Sequence, residues 1–182
     1  MNAVTPIKAR REETAAERWA RMPTIRTGED YLQSLRGRGT RMFLFGELVD
    51  EPADHPMIKP SINALRASYD LAIEDPDLAT AFSPLINAPV NRFLHIVESP
   101  DDLVMKNKMQ RRMGQITGTC FQRCTGLDTI SVLHSITFEI DQKHGTSYHQ
   151  RYLDWLKLAQ QKNILIAAAM TDPKGDRSKR PH

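Results

Sequence analysis

The stretch Ser99-Pro100-Asp101-Asp102-Leu103 restricts the fold more than any other in this chain. A serine at the cap accepts from a first-turn N–H. Proline at the next position loses no hydrogen bond, because first-turn N–H groups have no intrahelical acceptor, and two carboxylates sit at the positive end of the helix dipole. A long helix therefore starts here and runs through Met113. Met105, Met109 and Met113 recur at i, i+4 and i+8, which places them on one helix face and marks core or interface packing. A helix this long needs other helices to cover that face.

Stop and start signals divide the remaining chain in the same manner. Glu12 to Met22 is polar and helix-forming, and Pro23 ends it. Thr27 caps a second helix with Glu29 and Asp30 in its first turn; Tyr31, Leu32 and Leu35 share a face, and the glycines at 37 and 39 close it. Arg41–Val49 is apolar around Gly46 and predicts a short strand or hairpin, followed by a loop with three prolines. From Ser61, Ile62, Leu65, Tyr69 and Leu71/Ala72 recur at helical spacing until Asp75-Pro76 breaks the pattern, and Pro76–Phe82 starts a short second helix. Asn91–Val97 predicts another strand. Glycines 114, 118 and 126 punctuate the stretch up to Ile140, and Gly145 is a stop. Ser147–Gln161 is amphipathic through Tyr148, Tyr152, Trp155, Leu156 and Leu158. Ile164–Met170 is an apolar run ending in a polar turn. Five to seven helices with one or two short strands make a mostly α domain, a helical bundle.

Composition excludes several functions. With 40% hydrophobic and 26% charged residues the chain reads as globular. Its net charge of +3 is too small, and its basic runs too interrupted by acids, for a nucleic-acid footprint. No apolar stretch is long enough for a membrane span, and the N-terminus lacks the apolar core of a secretory signal. Two cysteines in 182 residues do not form a disulfide framework. The expected compartment is the reducing cytoplasm.

Both cysteines lie in Gly118-Thr-Cys-Phe-Gln-Arg-Cys-Thr-Gly126. The flanking apolar residues are compatible with a helix, on which Cys120 and Cys124 share a face. A disulfide is awkward across one helical turn. Three readings stay open: ligands to a metal or cluster, two buried thiols, or a redox pair. No histidine stands at a short ligand spacing from either cysteine, so a two-cysteine, two-histidine zinc site has no support in the spacing. The turn Thr171–Arg177 presents backbone N–H groups with Thr171, Lys174 and Arg177, which suit a phosphate or a flavin carbonyl, or an ordinary surface turn. His144 beside Gly145 reads either as a base or as a polar residue favouring a helix C-terminus.

Six segments resemble one family: DHPMIKPSIN (54–63), VNRF (90–93), DDLVMKNKMQRRMGQ (101–115), CFQRCTGLD (120–128), FEIDQKHGTSYH (138–149) and AMTDPKGDR (169–177). They are similar to the N-terminal part of the 4-hydroxybutyryl-CoA dehydratase/vinylacetyl-CoA isomerase family. That family is a branch of the flavoproteins that include the 4-hydroxyphenylacetate 3-monooxygenases and share the acyl-CoA dehydrogenase architecture. The resemblance implies FAD and a [4Fe–4S] cluster, with Cys120 and Cys124 as two cluster ligands and a histidine and a third cysteine supplied from later in the family's chain. It assigns Met170, Thr171, Asp172, Pro173, Lys174, Gly175, Asp176 and Arg177 to the flavin site. It implies dehydration of an acyl-CoA, homotetrameric assembly, and chemistry in which flavin and iron make an unactivated C–H labile. The cysteine pair favours the dehydratase branch over the hydroxylase branch.

The same resemblance divides the chain into an extension (1–26), a helical domain (27–177) and a truncated linker (178–182) to an absent β domain. Half the cluster ligands and one edge of the flavin site are then present, and the expectation is inactivity for the chain alone. The alternatives are a component of a flavin-dependent aromatic hydroxylase and a non-enzymatic helical module that binds a partner domain.

Overall fold

The Ser99 cap forms as its residues require. In the computed structural model, which describes residues 14–121, 123–168, 176 and 178–179, the Ser99 hydroxyl accepts from Asp102 N–H at 3.1 Å, and Asp102 accepts from Glu98 N–H at 3.1 Å. The helix that follows spans Pro100–Thr117 and ends on Gly118, whose φ of 58° is left-handed and suits a residue without a Cβ. Met109 and Met113 are wholly buried on it.

In chain order the described elements are α1 (Ala15–Arg21), α2 (Gly28–Leu35), β1 (Met42–Leu44), β2 (Glu47–Val49), α3 (Lys59–Glu74), α4 (Pro76–Ala79), β3 (Thr80–Ser83), β4 (Ala88–Asn91), a 3-10 turn (Arg92–Leu94), α5 (Pro100–Thr117), α6 (Arg123–His144) and α7 (Tyr148–Lys162). The fold is mostly α with two small antiparallel hairpins. No described helix is long and apolar enough to cross a membrane.

The β1–β2 hairpin arises where Gly46 suggested it. Phe45 and Gly46 both take positive φ, the requirement of a tight two-residue hairpin turn. The second hairpin corrects the expectations on either side of it. The helix begun at Pro76 ends at Ala79, and 80–83 pairs as a strand with 88–91. Arg92 explains the early stop: its guanidinium donates to the carbonyls of Leu78 (2.8 Å), Asp77 (3.3 Å) and Thr80, occupying the acceptors a longer helix would use. The expected strand over 91–97 is therefore only the end of β4 followed by the 3-10 turn.

The main core joins Ala64 and Leu71 of α3, Met109 and Met113 of α5, Leu127 and Ile130 of α6, and Tyr152 and Leu156 of α7 around Phe93. A second cluster sits between α2 and α3, where Tyr31 stacks on Tyr69 at 5.3 Å. Burial, then the neighbouring Tyr69, pushes the Tyr31 hydroxyl up to about 12. Buried polar groups are cross-linked through the core: Ser83 donates to Gln160 at 2.7 Å, and Gln160 donates to the Leu94 carbonyl at 2.9 Å.

The C-terminal end of α7 is closed by the segment before α2. Lys162 donates its ammonium to the Met22 carbonyl (2.7 Å), Asn163 donates to the Ile25 carbonyl (2.8 Å), and the Lys162 carbonyl accepts from Ile25 N–H (3.1 Å). Of the orphan acceptors at this helix end, the Lys162 carbonyl is thereby satisfied, and the Gln161 carbonyl accepts from the Thr24 hydroxyl at 3.3 Å, 137 residues away. Asn163 itself adopts φ 51°, a left-handed cap that asparagine tolerates.

Candidate functional site

The two cysteines do not share a helix face. Cys120 is exposed and lies in the link after Gly118, and the described part of α6 starts at Arg123. Cys124 is half-buried in the first turn of α6 and packs against the main core. Between them, Phe121 is buried edge-on against Phe93 at 5.7 Å and pins the link to the core. Cys120 thus lies on the link before the helix and Cys124 within its first turn. Both thiols are free, so the disulfide stays excluded in this state. Among the described residues no three histidine, cysteine or acidic side chains cluster as a metal site.

Arg123, between the cysteines in sequence, is an unexpected feature. It is 1% exposed and the largest of the fully buried side chains. Its Nη1 donates to the Ser68 hydroxyl at 2.8 Å. The guanidinium carbon lies 4.4 Å from the Tyr69 ring centre and 5.1 Å from that of Phe93. Nε and Nη2 are buried without a hydrogen-bond partner. Burial lowers its pKa, opposed by Tyr69 and then Tyr31. Sequence pattern did expose one clue: positions 123, 127 and 130 fall at helical spacing with Leu127 and Ile130, so Arg123 occupies a core position.

Gly126 was expected to punctuate the chain and instead lies inside α6. A Cβ there would stand 2.0 Å from the Ile166 carbonyl oxygen and 2.6 Å from its carbon. Only glycine lets the segment after α7 lie directly on the first turns of the cysteine helix. That segment, 164–168, precedes in sequence the stretch 171–177 that reads as a polar turn. It meets the start of α6 from some forty residues away in the chain. Within the turn, Met170, Thr171, Asp172, Pro173, Lys174, Gly175 and Arg177 lie outside the described residues. Asp176 is exposed and accepts from the Ser178 hydroxyl (2.7 Å) and N–H (3.0 Å), which hold its carboxyl below the ordinary range.

His144 is the exposed last residue of α6, where a cation favours the helix end. Nearby, Asp141 accepts from Thr146 (2.5 Å), Tyr148 N–H (2.9 Å) and His149 N–H (2.8 Å), so it caps α7 from the preceding helix. A separate cleft of about 300 Å³ is lined by Ser83, His95, Glu98, His134 and Gln160 among others. His95 Nε2 lies 3.3 Å from Asp102 there. Burial, then His149, lowers the pKa of His134. Neither histidine of this cleft was singled out by sequence spacing, because they come together only through packing.

The outer side of α6 is apolar and uncovered. Val132, Leu133 and Ile136 are 63%, 36% and 43% exposed there, whereas Phe138 lies toward α7 with its ring 5.5 Å from that of His149. A solvated helix is amphipathic; α6 is apolar on its inner and its outer side.

Residues 27–182 match the family model described as 4-hydroxyphenylacetate 3-hydroxylase N terminal. The chain belongs to this family. It is 48% identical over 160 residues to the 4-hydroxybutyryl-CoA dehydratase/vinylacetyl-CoA-Δ-isomerase of Clostridium aminobutyricum, covering 86% of this chain and 32% of that protein. The 4-hydroxyphenylacetate 3-monooxygenase oxygenase component of a Geobacillus species is 19% identical over 163 residues, covering 89% and 33%. Among solved structures, an oxygen-tolerant archaeal 4-hydroxybutyryl-CoA dehydratase from N. maritimus superposes with a TM-score of 0.82 at 62% identity, covering 86% of this chain and 31% of that one. This family member therefore spans about a third of the length of the relatives it matches. The resemblance read from the six segments is borne out, and with it the helical N-terminal fold.

Proposed function

We propose that this chain is the N-terminal helical portion of a dehydratase that converts 4-hydroxybutyryl-CoA to crotonyl-CoA, with vinylacetyl-CoA isomerase activity, and that uses FAD and a [4Fe–4S] cluster. The observation that carries the reading is the free pair Cys120, on the link before α6, and Cys124, in its first turn, in a chain far more similar to dehydratases than to monooxygenases. Thiolate sulfur is the donor such clusters take.

In this reading Cys120 and Cys124 supply two of four ligands, and Met170–Arg177 forms one edge of the flavin site. Residues 27–177 are the domain, 1–26 an extension, and 178–182 the start of a linker to a β domain. When bound, the flavin and the cluster supply electron acceptance and Lewis acidity. This chain's own residues hold and orient: Phe121 pins the ligand-bearing link, and Gly126 lets the flavin-side segment lie against the cysteine helix. The uncovered face of α6 receives the remaining domains, whether these follow in the same polypeptide or come from a second chain. The assembled protein is a homotetramer in a reducing cytoplasm. Without the remaining two thirds, the chain does not dehydrate 4-hydroxybutyryl-CoA.

The experiment is anaerobic co-production of this chain with the remaining domains, followed by iron, sulfide and flavin analysis and a dehydration assay. The expected result is about four irons per protomer and crotonyl-CoA formation, with both lost in Cys120→Ser and Cys124→Ser. Full iron content in the double serine variant sinks the ligand assignment. Oxygen-dependent hydroxylation of a phenol, without iron–sulfur absorbance, transfers the chain to the hydroxylase branch. Failure to bind flavin or iron in any combination leaves a non-enzymatic helical module.

A further inference from the structure

The short helix α1 has a defined start and a defined end. Thr14 caps it, accepting from Glu17 N–H at 3.2 Å, while the Glu17 carboxylate accepts from the Thr14 N–H and hydroxyl, both at 3.0 Å. At the other end the Met22 carbonyl accepts from the Lys162 ammonium at 2.7 Å, and the Thr24 hydroxyl donates to the Gln161 carbonyl at 3.3 Å. These bonds to the end of α7 fix where α1 lies against the domain. The helix itself is outside residues 27–182, the part matched by the family model.

α1 meets the end of α2 at a hollow of about 650 Å³. Arg18 and Arg21 line it from α1, and Arg38 lines it from the turn after α2. Ser34 and Thr40 add hydroxyls, and Met22 and Pro23 add apolar surface. Arg38 is held at the end of α2: its Nε donates to the Ser34 carbonyl at 2.5 Å, and its Nη2 reaches the Ser34 hydroxyl at 3.5 Å. A guanidinium has five N–H donors, so these two contacts do not exhaust it. Glu17 is the one acid of α1, and its carboxylate is engaged at Thr14; those bonds, ahead of the charge of Arg21, hold its pKa low. One carboxylate against three guanidiniums leaves the hollow net positive. The helix dipole accounts for Arg18 and Arg21 in the last turn of α1. It does not account for a third arginine brought to the same space from another helix. Arg36, two residues before Arg38, shows the ordinary alternative: it pairs with Asp54 through two bonds of 2.6 and 2.8 Å.

We propose that this hollow binds a small molecule bearing a phosphoanhydride, with Arg18, Arg21 and Arg38 as the charged donors. Guanidinium forks match phosphate oxygens in bidentate pairs. The volume lies within the range of small-molecule sites, about 300–1,000 Å³. Met22 and Pro23 offer apolar surface to whatever carries the phosphates, and the Ser34 and Thr40 hydroxyls supply neutral donors. Inorganic pyrophosphate, a free nucleoside diphosphate and coenzyme A share this chemistry. The site goes beyond the dehydratase reading and does not depend on it, because two of its three arginines precede the matched residues and none belongs to the cysteine segment.

The test is isothermal titration calorimetry of the full 182-residue chain with inorganic pyrophosphate, ADP and coenzyme A at one fixed salt concentration. Wild type is expected to bind at least one of them with a Kd below about 1 mM. The double variant Arg18→Gln/Arg21→Gln and the single variant Arg38→Gln are each expected to weaken that binding at least about tenfold, since a hydrogen bond to a charged group is worth a decade or more of affinity. Arg111→Gln/Arg112→Gln makes the same charge change at exposed positions of α5 and is expected to stay within about twofold of wild type. Circular dichroism melts report folding, and Arg18→Gln alone, at an exposed residue, replaces the double variant if that one unfolds. Equal affinities for the three probes assign recognition to the phosphoryl groups alone; tighter binding of ADP than of pyrophosphate adds the nucleoside, and tighter binding of coenzyme A than of ADP adds its acyl-carrying arm. No binding of any probe below about 1 mM, or an equal loss in the Arg111/Arg112 variant, overturns the proposal and leaves the dehydratase reading untouched.

Discussion

Gly126→Ala sets two well-understood effects against each other. Replacing a helix-interior glycine by alanine stabilises a helix by about 1 kcal/mol, because alanine loses less backbone freedom on folding. At this position, however, the new methyl would stand 2.0 Å from the Ile166 carbonyl oxygen, where ordinary contact begins at 3.4 Å. The obstacle is backbone, so no side-chain rotation relieves it. The 164–168 segment has to retreat by more than an ångström, loosening Ile166 from the main core. Overpacking of this kind costs about 1–3 kcal/mol, and the upper part of that range applies where backbone must move. The net expectation is a loss of about 1–2 kcal/mol, a fall in melting temperature of about 2–8 °C for a chain of this size. Amide exchange localises the change: Ile164, whose N–H donates to the Ala159 carbonyl at 3.0 Å, is expected to exchange faster, while α5 is unaffected. A variant that melts higher than wild type, as helix propensity alone dictates, would falsify the close approach of the 164–168 segment to α6.

Further expectations concern the caps. Ser99→Ala removes the acceptor for Asp102 N–H and is expected to cost about 1 kcal/mol in chemical denaturation; no loss would show that the cap is dispensable. For Asp102, burial raises the pKa, but the Glu98 N–H, the Ser99 hydroxyl and His95 outweigh it and hold the carboxyl below its ordinary value. A depressed folded-state pKa contributes stability that is present above the unfolded value and lost as pH falls through the folded one. Asp102→Asn is therefore expected to flatten the stability curve on the acid side of about pH 4, with little change of slope near neutrality; an unchanged acid slope would refute the assignment. Asn163→Gly keeps the left-handed cap but loses the bond to Ile25, whereas Asn163→Ala loses both. Alanine is expected to be the more destabilising by about 1 kcal/mol, and the reverse order in thermal melts would contradict the cap.

Local chemistry carried a large part of the fold into the sequence. The Ser99 and Thr27 caps, the methionine stripe and the turn around Gly46 each depend on residues within a few positions of one another, and each appears where the pattern placed it. Tertiary structure alone decided the rest. Asn91–Val97 reads as a strand by composition, yet Arg92 reaches back to the carbonyls ending α4, and the segment turns into the core. Gly126 reads as a breaker, but its missing Cβ serves a contact with Ile166 across forty residues of chain. Arg123 falls at helical spacing with Leu127 and Ile130, but only packing decides that it is buried under Tyr69 and Phe93. Caps, turns and periodicity are short-range consequences of backbone hydrogen bonding, so the sequence by itself determined them. Burial of a charge and the approach of two backbones depend on which distant segments meet, and only the folded arrangement settles that.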